Sequence, residues 1–253
     1  MATCGQKPSS TVSILGINLS GNHNPLADKR VRQAVSLALD RKAVVEAAYH
    51  GYALPASQLV HPNIFGFDPG LLRLEPDAVR AARLIREAGF PKGCRLRIDA
   101  DRGLFPEMET LSRQLAAASV RLVINTLVWS DLYLMVENGR SSSYRMGISC
   151  SFGDASEILN DLHTNRGEYG HRNNSGYSNP ALDALIEEAD REFNTGRRQE
   201  ILKEAMRLAM ADLPIIPLYL REDCFGLRRG LDWKPRADGM ILAKDIHPAG
   251  TKR

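Results

Sequence analysis

The chain has 253 residues, of which 43% are hydrophobic and 25% are charged, and its formal net charge is +3 at pH 7. This composition is typical of a folded globular protein and excludes a disordered or fibrous chain. Acidic and basic residues are interspersed and only 6% of the residues are aromatic. The sequence therefore lacks the basic stripe with stacking aromatics that marks a nucleic-acid-binding surface.

The N-terminal third predicts one strand, two helices and a long irregular segment. The β-branched run VSILGINLS at 12–20 indicates a strand. Apolar residues at helical spacing indicate two helices within 28–51, and Asp40 is expected to cap the second. Three prolines and two glycines then predict an irregular surface segment at 54–70.

Helices and strands alternate through the middle of the chain. The predicted elements are, in order, a helix between Pro76 and Gly89, a strand at 95–100, a helix from Pro106, a strand at 120–128, a helix capped by Ser130 and a strand at 144–150. Such alternation is typical of an α/β layer built on a largely parallel or mixed sheet.

The last third predicts two helices followed by extended chain. Asn179 and Pro180 form a cap and a first helical turn, and Thr195 is expected to cap the helix that follows. LPIIPLYL at 213–220 predicts a buried strand, and DCFGLRRG at 223–230 predicts another.

Membrane and export segments are absent from the sequence. No stretch reaches the run of about 18 apolar residues that a membrane span needs. The opening MATCGQKPSS also lacks the apolar core of a secretory signal, so we expect either a cytosolic protein or a chain whose signal lay upstream. The cysteines are too far apart for a zinc site and are expected to be buried free thiols: Cys4, Cys94, Cys150 and Cys224.

No complete catalytic motif occurs in the sequence. GISCS at 147–151 approximates the GxSxG nucleophile elbow, but Ser151 replaces the glycine that allows the sharp turn. Cys150 would act as a nucleophile only beside a histidine, and the sequence places neither His163 nor His171 there. Phosphate-binding glycine loops and helical metal-binding histidine pairs are also missing. We therefore expect no metal and no cofactor, and an enzyme that uses Cys150 is the least favoured interpretation.

Two carboxylates, Asp154 and Glu157, follow the strand at 144–150. On one interpretation Asp154 N-caps the helix ASEILNDLH, and Glu157, three residues on, completes a capping-box-like arrangement. On the other, Asp154 faces the crevice at the carboxyl end of the strand, where α/β sheets often bind ligands. The two interpretations are compatible, and the residues alone leave both open.

Four segments resemble, in the same order, landmarks of the family 5 extracellular solute-binding proteins, the oligopeptide, dipeptide and nickel receptors of ABC importers. DKRVRQAVSLALDRKAVVEAAYHGYALPASQLVHP is similar to the family's VRxAxxxAxDR segment and its G-x-A-x-P turn. The later landmarks are EPDAVRAARLIREAGF, NNSGYSNPALDALIEEA and AMADLPIIPLYL. The resemblance extends over residues 24–220.

The resemblance implies an α/β fold, a lobe like those of class II periplasmic binding proteins, with a mixed sheet flanked by helices. Family members are longer and have two lobes, and this chain resembles the second. Residues 1–19 would form a crossover strand from a first lobe, residues 20–212 the second ligand-binding lobe, and residues 213–253 strands and a tail returning toward the hinge. A periplasmic or extracellular location follows, with the export signal upstream.

The resemblance also implies a function and a site. The protein would be the substrate-binding component of an ABC transporter, which binds a small peptide or similar solute in a cleft between lobes. It would deliver that solute to the permease subunits, without a nucleic acid partner or a membrane span of its own. The alternative is a solute-sensing regulatory domain with the same lobe fold.

In peptide-binding relatives, an aspartate in a GWxGDxxDP segment pairs with the ligand's α-amino group. SFGDASE is similar to that segment and puts Asp154 at the amine-binding position, with Phe152 and Gly153 beside it. Arg102, after the strand at 95–100, is the candidate that holds the ligand's carboxylate.

Overall fold

The computed structural model describes residues 3–20, 24–71, 75–236 and 240–250, and of residues 3–8 and 105 it describes the backbone only. The strands are β1 (Thr3–Ile17), β2 (Ala53–Pro55), β3 (Cys94–Asp101), β4 (Val120–Leu127), β5 (Ser143–Ser149), β6 (Ile215–Leu227), β7 (Leu231–Asp232) and β8 (His247–Pro248). The last two form a separate hairpin-like pair.

The helices follow the predicted alternation with the strands. They are α1 (Lys29–Ala38), α2 (Arg41–Tyr49), α3 (Ala78–Glu87), α4 (Phe105–Ala117), α5 (Trp129–Glu137), α6 (Ser156–Asn160), α7 (Pro180–Arg191) and α8 (Thr195–Asp212). Short 3-10 turns lie at Pro25–Ala27, Arg102–Leu104 and Ala243–Asp245. In the described part of the chain, every helix is too short or too polar to cross a bilayer.

Six of the described strands form one mixed sheet in the order β2-β6-β1-β5-β3-β4. β1 lies in its interior and pairs antiparallel with both β5 and β6, so that Ile14 faces Met146 on one side and Pro217 on the other. β3 pairs parallel with β4 and β5, and β2 pairs antiparallel with β6. The predicted mixed α/β sheet is confirmed.

Helices cover both faces of the sheet, so that β1 is buried on both sides. Leu15 and Ile17 pack in a cluster with α1 to α4, whereas Val12 and Ile14 pack in a second cluster with α6 to α8. Full burial of such a side chain contributes roughly 1.5–3 kcal/mol. Because alternate side chains of β1 point to opposite faces of the sheet, this strand belongs to both hydrophobic cores. The two cores together support the edge of the sheet where β5 ends.

Two of the predicted helix caps are confirmed. At the start of α2, Asp40 accepts a hydrogen bond from the Ala43 amide at 3.0 Å. At the start of α7, Asn179 accepts one from the Ala181 amide at 3.0 Å, and Pro180 is the first helical residue. Each cap satisfies an amide that has no partner within its own helix.

Two other predicted caps were wrong by one or two residues. Helix α5 begins before Ser130, because the carbonyl of Val128 already accepts from the Leu132 amide at 3.0 Å. Asn194 rather than Thr195 caps α8, since its side chain accepts from an amide of the first turn. Asn and Thr are both good capping residues, so neighbouring candidates of this kind are not separated by residue type alone.

The long strands differ from their predicted bounds. β1 is longer toward the N-terminus than the predicted 12–20 and ends at Ile17, and β6 is one continuous strand where two were predicted at 213–220 and 223–230. The two strands pair with each other over most of their length. This pairing holds polar stretches of β1 and β6 in an extended conformation, although their local sequence pattern does not predict a strand.

The cysteine predictions have mixed outcomes. Cys94 and Cys150 are buried, as expected. Cys224 is exposed, so its predicted burial was wrong; it lies on the distal part of β6, where exposed and half-buried residues alternate beyond the two cores. The side chain of Cys4 lies outside what the structure describes.

Candidate functional site

Asp154 lies in the loop after β5 and forms an ion pair with Arg198 of α8. Arg198 donates to both carboxylate oxygens, with 3.2 Å from Nη2 to Oδ1 and a short contact from Nη1 to Oδ2. The Asp154 Oδ1 also accepts from the Ser156 amide at 2.9 Å. Ala155 rather than Asp154 holds the N-cap position of α6, so the predicted cap was wrong, although Asp154 does satisfy an amide of the first turn.

The charge of Asp154 is stabilised by these contacts. Burial alone would raise its pKa, but hydrogen bonds from Arg198 and Ser156 outweigh burial and hold the pKa below its ordinary value. Arg198 also donates to the Ala189 carbonyl at 2.9 Å and lies 5.5 Å from the centre of the Phe65 ring. Asp154 is therefore an ionised carboxylate that already has protein partners.

The remainder of this loop is held by backbone contacts. The Phe65 amide donates to the Gly153 carbonyl at 3.0 Å, and the Phe65 carbonyl accepts from the Ala155 amide at 2.9 Å. Gly153 has φ +76°, a left-handed conformation that favours glycine. Phe152, beside it, is 87% exposed. A fixed backbone thus presents an aromatic side chain to solvent.

Glu157 lies in the first turn of α6, as predicted, but the predicted capping box with Asp154 was wrong. Its Oε2 accepts from the amide of Phe152, at 2.9 Å, rather than from the amide of Asp154. The carboxylate thereby reaches back across the loop toward the end of β5. Arg102 is exposed in the turn after β3 and makes no hydrogen bond or ion pair with another described residue.

Two adjoining cavities lie along β5 and share Trp129, Met146, Gly147 and Ser149 as a common wall. The first, which we call the acidic cavity, has a volume of about 410 Å³, and the second, the basic cavity, about 370 Å³. Both fall in the size range of small-molecule sites. Neither is lined by Asp154, Phe152, Gly153 or Arg102.

Three carboxylates and one guanidinium line the acidic cavity: Glu137, Glu157, Asp161 and Arg172. Asp161 is the most perturbed. Burial raises its pKa to about 6, the Arg172 charge opposes that rise, and the charges of Glu157 and Glu137 add to it. The Arg172 Nη1 lies 3.9 Å from the Asp161 Oδ2, too far for a hydrogen bond.

The basic cavity rests on a buried polar network. Arg145, in its wall, donates from Nε to the Glu107 Oε1 at 2.5 Å and from Nη2 to Oε2 at 3.1 Å. The Tyr219 hydroxyl lies 2.7 Å from the Glu107 Oε2 and 2.6 Å from the Tyr49 hydroxyl. Arg221, exposed on β6, and Asp101 line the same cavity.

The sequence did not reveal most of these residues. The partners in the buried network are 38 and 112 positions apart along the chain, so no local spacing joins them. Glu157 was noticed for its position after β5, whereas Asp161 and Glu137 carried no sequence signal. Cys150 was considered as a nucleophile, but burial raises its pKa to about 11, the reverse of activation.

Among the described residues, no group of three or more His, Cys, Asp and Glu side chains has the arrangement needed to hold a metal ion. Through ion pairs and hydrogen bonds, the two cavities can bind charged groups of opposite sign.

Comparisons with known proteins agree on one family. The family described as "Bacterial extracellular solute-binding proteins, family 5 Middle" matches residues 5–170. The di/tripeptide-binding protein 1 of Pseudomonas aeruginosa is 25% identical over 203 residues, which are 78% of this chain and 38% of that protein. The heme-binding protein A of Haemophilus influenzae is 26% identical over 205 residues, 77% of this chain and 37% of that protein.

Solved structures share the fold at lower identity. The periplasmic binding protein DppA of Helicobacter pylori, in complex with the peptide STSA, has a TM-score of 0.86 at 18% identity and covers 98% of this chain. The oligopeptide-binding protein AppA of Bacillus subtilis, in complex with a nonapeptide, has a TM-score of 0.84 at 18% identity and also covers 98%. This chain covers 49% and 52% of those two chains, respectively. The predicted binding-protein lobe fold is confirmed.

Proposed function

Because the chain belongs to the family 5 bacterial extracellular solute-binding proteins, we propose that it contributes one half of a solute-binding cleft that serves an ABC importer. In this proposal residues 20–212 form the second lobe, residues 1–19 cross over from a first lobe, and residues 213–253 return toward the hinge. The protein would bind its solute without chemical conversion, in the periplasm or outside the cell, and would present it to permease subunits.

The pair of adjoining cavities with opposite charge is the observation that carries this proposal. The carboxylates of the acidic cavity and the exposed Arg221 of the adjoining basic cavity suit a solute with an ammonium group and a carboxylate. Short peptides have both groups, and charge-assisted contacts to their termini fix length while tolerating many side chains. We therefore propose a small peptide, or a solute of similar charge pattern, as the ligand.

The four site residues expected from the family resemblance stay predictions. Asp154 would have to share its carboxylate between the ligand amine and Arg198. Phe152 would contact the ligand through its exposed ring, with Gly153 giving the backbone turn that presents it. Arg102, which has no partner among the described residues, is available for a ligand carboxylate.

The test is an NMR titration of the 253-residue chain with trialanine. One half of a cleft should bind weakly, with a Kd on the order of millimolar, because about half of the contacts are missing. Amides of β5 and of residues 151–155 should shift and saturate. Absence of saturable shifts there at tens of millimolar peptide would contradict the proposal. N-acetyl-trialanine amide, which lacks both terminal charges, is the control and should bind less tightly.

A further inference from the structure

The acidic cavity is lined by aromatic side chains as well as by carboxylates. Trp129 and Tyr133, on consecutive turns of α5, are 53% and 47% exposed and form part of its wall, and Tyr144 of β5 forms another part. Aromatic faces attract cations and cover alkyl chains without demanding a particular sequence. The cavity thus combines negative charge with surfaces that suit an aliphatic cation.

The Tyr144 hydroxyl is a polar group of this cavity wall that has no protein partner among the described residues. The ring is packed so closely over Gly16 that a Cβ there would lie 2.1 Å from it. Burial, together with the charges of Glu137 and Asp161, raises the Tyr144 pKa to about 12, so the hydroxyl stays protonated near those carboxylates. The side chain is half-buried, and its hydroxyl has no hydrogen-bond partner among the described residues, so it is free to bind a group in the cavity.

The Asp161 carboxylate is also incompletely satisfied. Its nearest cation, the Arg172 guanidinium, belongs to a side chain that is 71% exposed and lies beyond hydrogen-bond distance. The Glu157 Oε2 is engaged by one backbone amide. An ammonium group in the cavity would find two acceptors, Glu157 and Asp161, one helical turn apart on the same face of α6, and Arg172 need not break a hydrogen bond to make room.

We propose that the acidic cavity is a subsite for an alkylammonium group of the ligand, bound by Asp161 and Glu157 with the Tyr144 hydroxyl as a third partner. This inference rests on the proposed solute-binding function and assigns the cation to a place other than Asp154. Asp154 then acts as a positioning residue, since its pairing with Arg198 fixes the loop to which Glu157 reaches back.

Alkylammonium groups in peptides come from the N-terminus or from lysine side chains. Three peptides with an amidated C-terminus, which therefore lack a carboxylate, separate these two sources. Trialanine amide has only the α-ammonium, N-acetyl-dialanyl-lysine amide has only the side-chain ammonium, and N-acetyl-trialanine amide has neither. NMR titration of the full chain with each gives three dissociation constants. We expect at least one ammonium probe to bind about tenfold more tightly than the neutral one.

The variants locate the subsite. Asp161→Asn and Glu157→Gln should each remove most of this preference while leaving the affinity for the neutral probe unchanged, and Tyr144→Phe should reduce it by a smaller factor. Asp131→Asn removes a charge from α5 at a residue that does not line the cavity, and it should leave the preference intact. Circular dichroism melts confirm that each variant is folded.

Two results would overturn the subsite while leaving the proposed function standing. In one, the probes bind but the ammonium gives no advantage. In the other, the advantage persists in Asp161→Asn and Glu157→Gln and disappears in Asp154→Asn, which would return the cation to Asp154. If none of the three probes nor trialanine binds, the proposed function of this chain fails with it.

Discussion

Asp161 is a carboxylate whose surroundings oppose its charge. Its pKa rises from an ordinary 3.8 to about 6, mainly through burial. A carboxyl group whose pKa is raised in the folded protein binds more protons there than in the unfolded chain. Its contribution to the free energy of unfolding therefore falls as the pH rises between roughly 4 and 6, and stays low above that range.

Replacement of this carboxyl group should stabilise the fold at neutral pH. Asp161→Asn is expected to raise the free energy of unfolding at pH 7.5 by roughly 1–2 kcal/mol, reduced from the full linkage value because the side chain is partly exposed. At pH 4 the gain should nearly vanish. Urea denaturation at both pH values measures the difference, and an equal effect at pH 4 and 7.5 would contradict the assigned pKa. A gain in stability with loss of cation binding is typical of a functional residue.

The two carboxylates after β5 show why the site was only partly predictable at this scale. Both were identified from the sequence, but their partners were not. The Asp154 partner, Arg198, comes from a helix 44 positions later, and nothing in the local pattern selects it among neighbouring arginines. Glu157 was assigned to the helix start, which is confirmed, while its place in a cavity wall depends on α5 and on residues beyond α6.

At the scale of elements, the loop 151–155 is fastened to α8 and to the segment around Phe65. From α8, Arg198 contacts the loop through the Asp154 carboxylate, α7 through the Ala189 carbonyl and the other segment through the Phe65 ring. Its side chain is only 21% exposed. Charge-assisted hydrogen bonds that are partly buried contribute more than surface pairs.

Loss of the Arg198 contacts should make the loop 151–155 more mobile. Arg198→Ala is expected to lower the free energy of unfolding by about 2–3 kcal/mol and to speed amide hydrogen exchange at Phe65 and Ala155. Arg197→Ala is the matched control, because Arg197 is 67% exposed and pairs with Glu188 and Glu192. That variant should change stability by less than about 1 kcal/mol. Equal effects of the two variants would show that Arg198 is no more than a surface residue.

The elements themselves were the most predictable part of the fold. Helices with a clear apolar face were predicted in place, since amphipathic periodicity is a local property. Strand bounds were less accurate because β1 and β6 determine each other's length, and that pairing joins the two ends of the chain. The cap errors at Ser130 and Thr195 arose where adjacent residues were equally able to begin a helix.

At the scale of the whole molecule, the buried network below the basic cavity joins both sheet and helices. Arg145 of β5, Glu107 of α4, Tyr219 of β6 and Tyr49 of α2 are linked by direct hydrogen bonds. The side chains of Arg145 and Glu107 are 4% and 1% exposed. A charge enclosed to this degree is tolerated only while its partner is present.

Breaking this pair should therefore destabilise the entire domain. Glu107→Ala is expected to lower the free energy of unfolding by about 3–5 kcal/mol, because it leaves Arg145 buried without a counter-charge. Glu109→Ala, at an exposed position of the same helix, should change it by less than about 0.5 kcal/mol. Guanidinium denaturation followed by circular dichroism compares the two. A cost for Glu107→Ala no larger than that of Glu109→Ala would exclude a supporting role for the network.

The interior position of β1 also has a consequence for the time course of synthesis. Its apolar residues emerge from the ribosome before those of the strands that flank it, because β5 and β6 lie more than a hundred and about two hundred residues later in the chain. At about 5–20 residues per second, β6 is synthesised on the order of ten to forty seconds after β1. Until then the nascent chain carries a hydrophobic segment that lacks one or both of its neighbouring strands, so the yield of the protein in the cell should depend on chaperones that shield such segments.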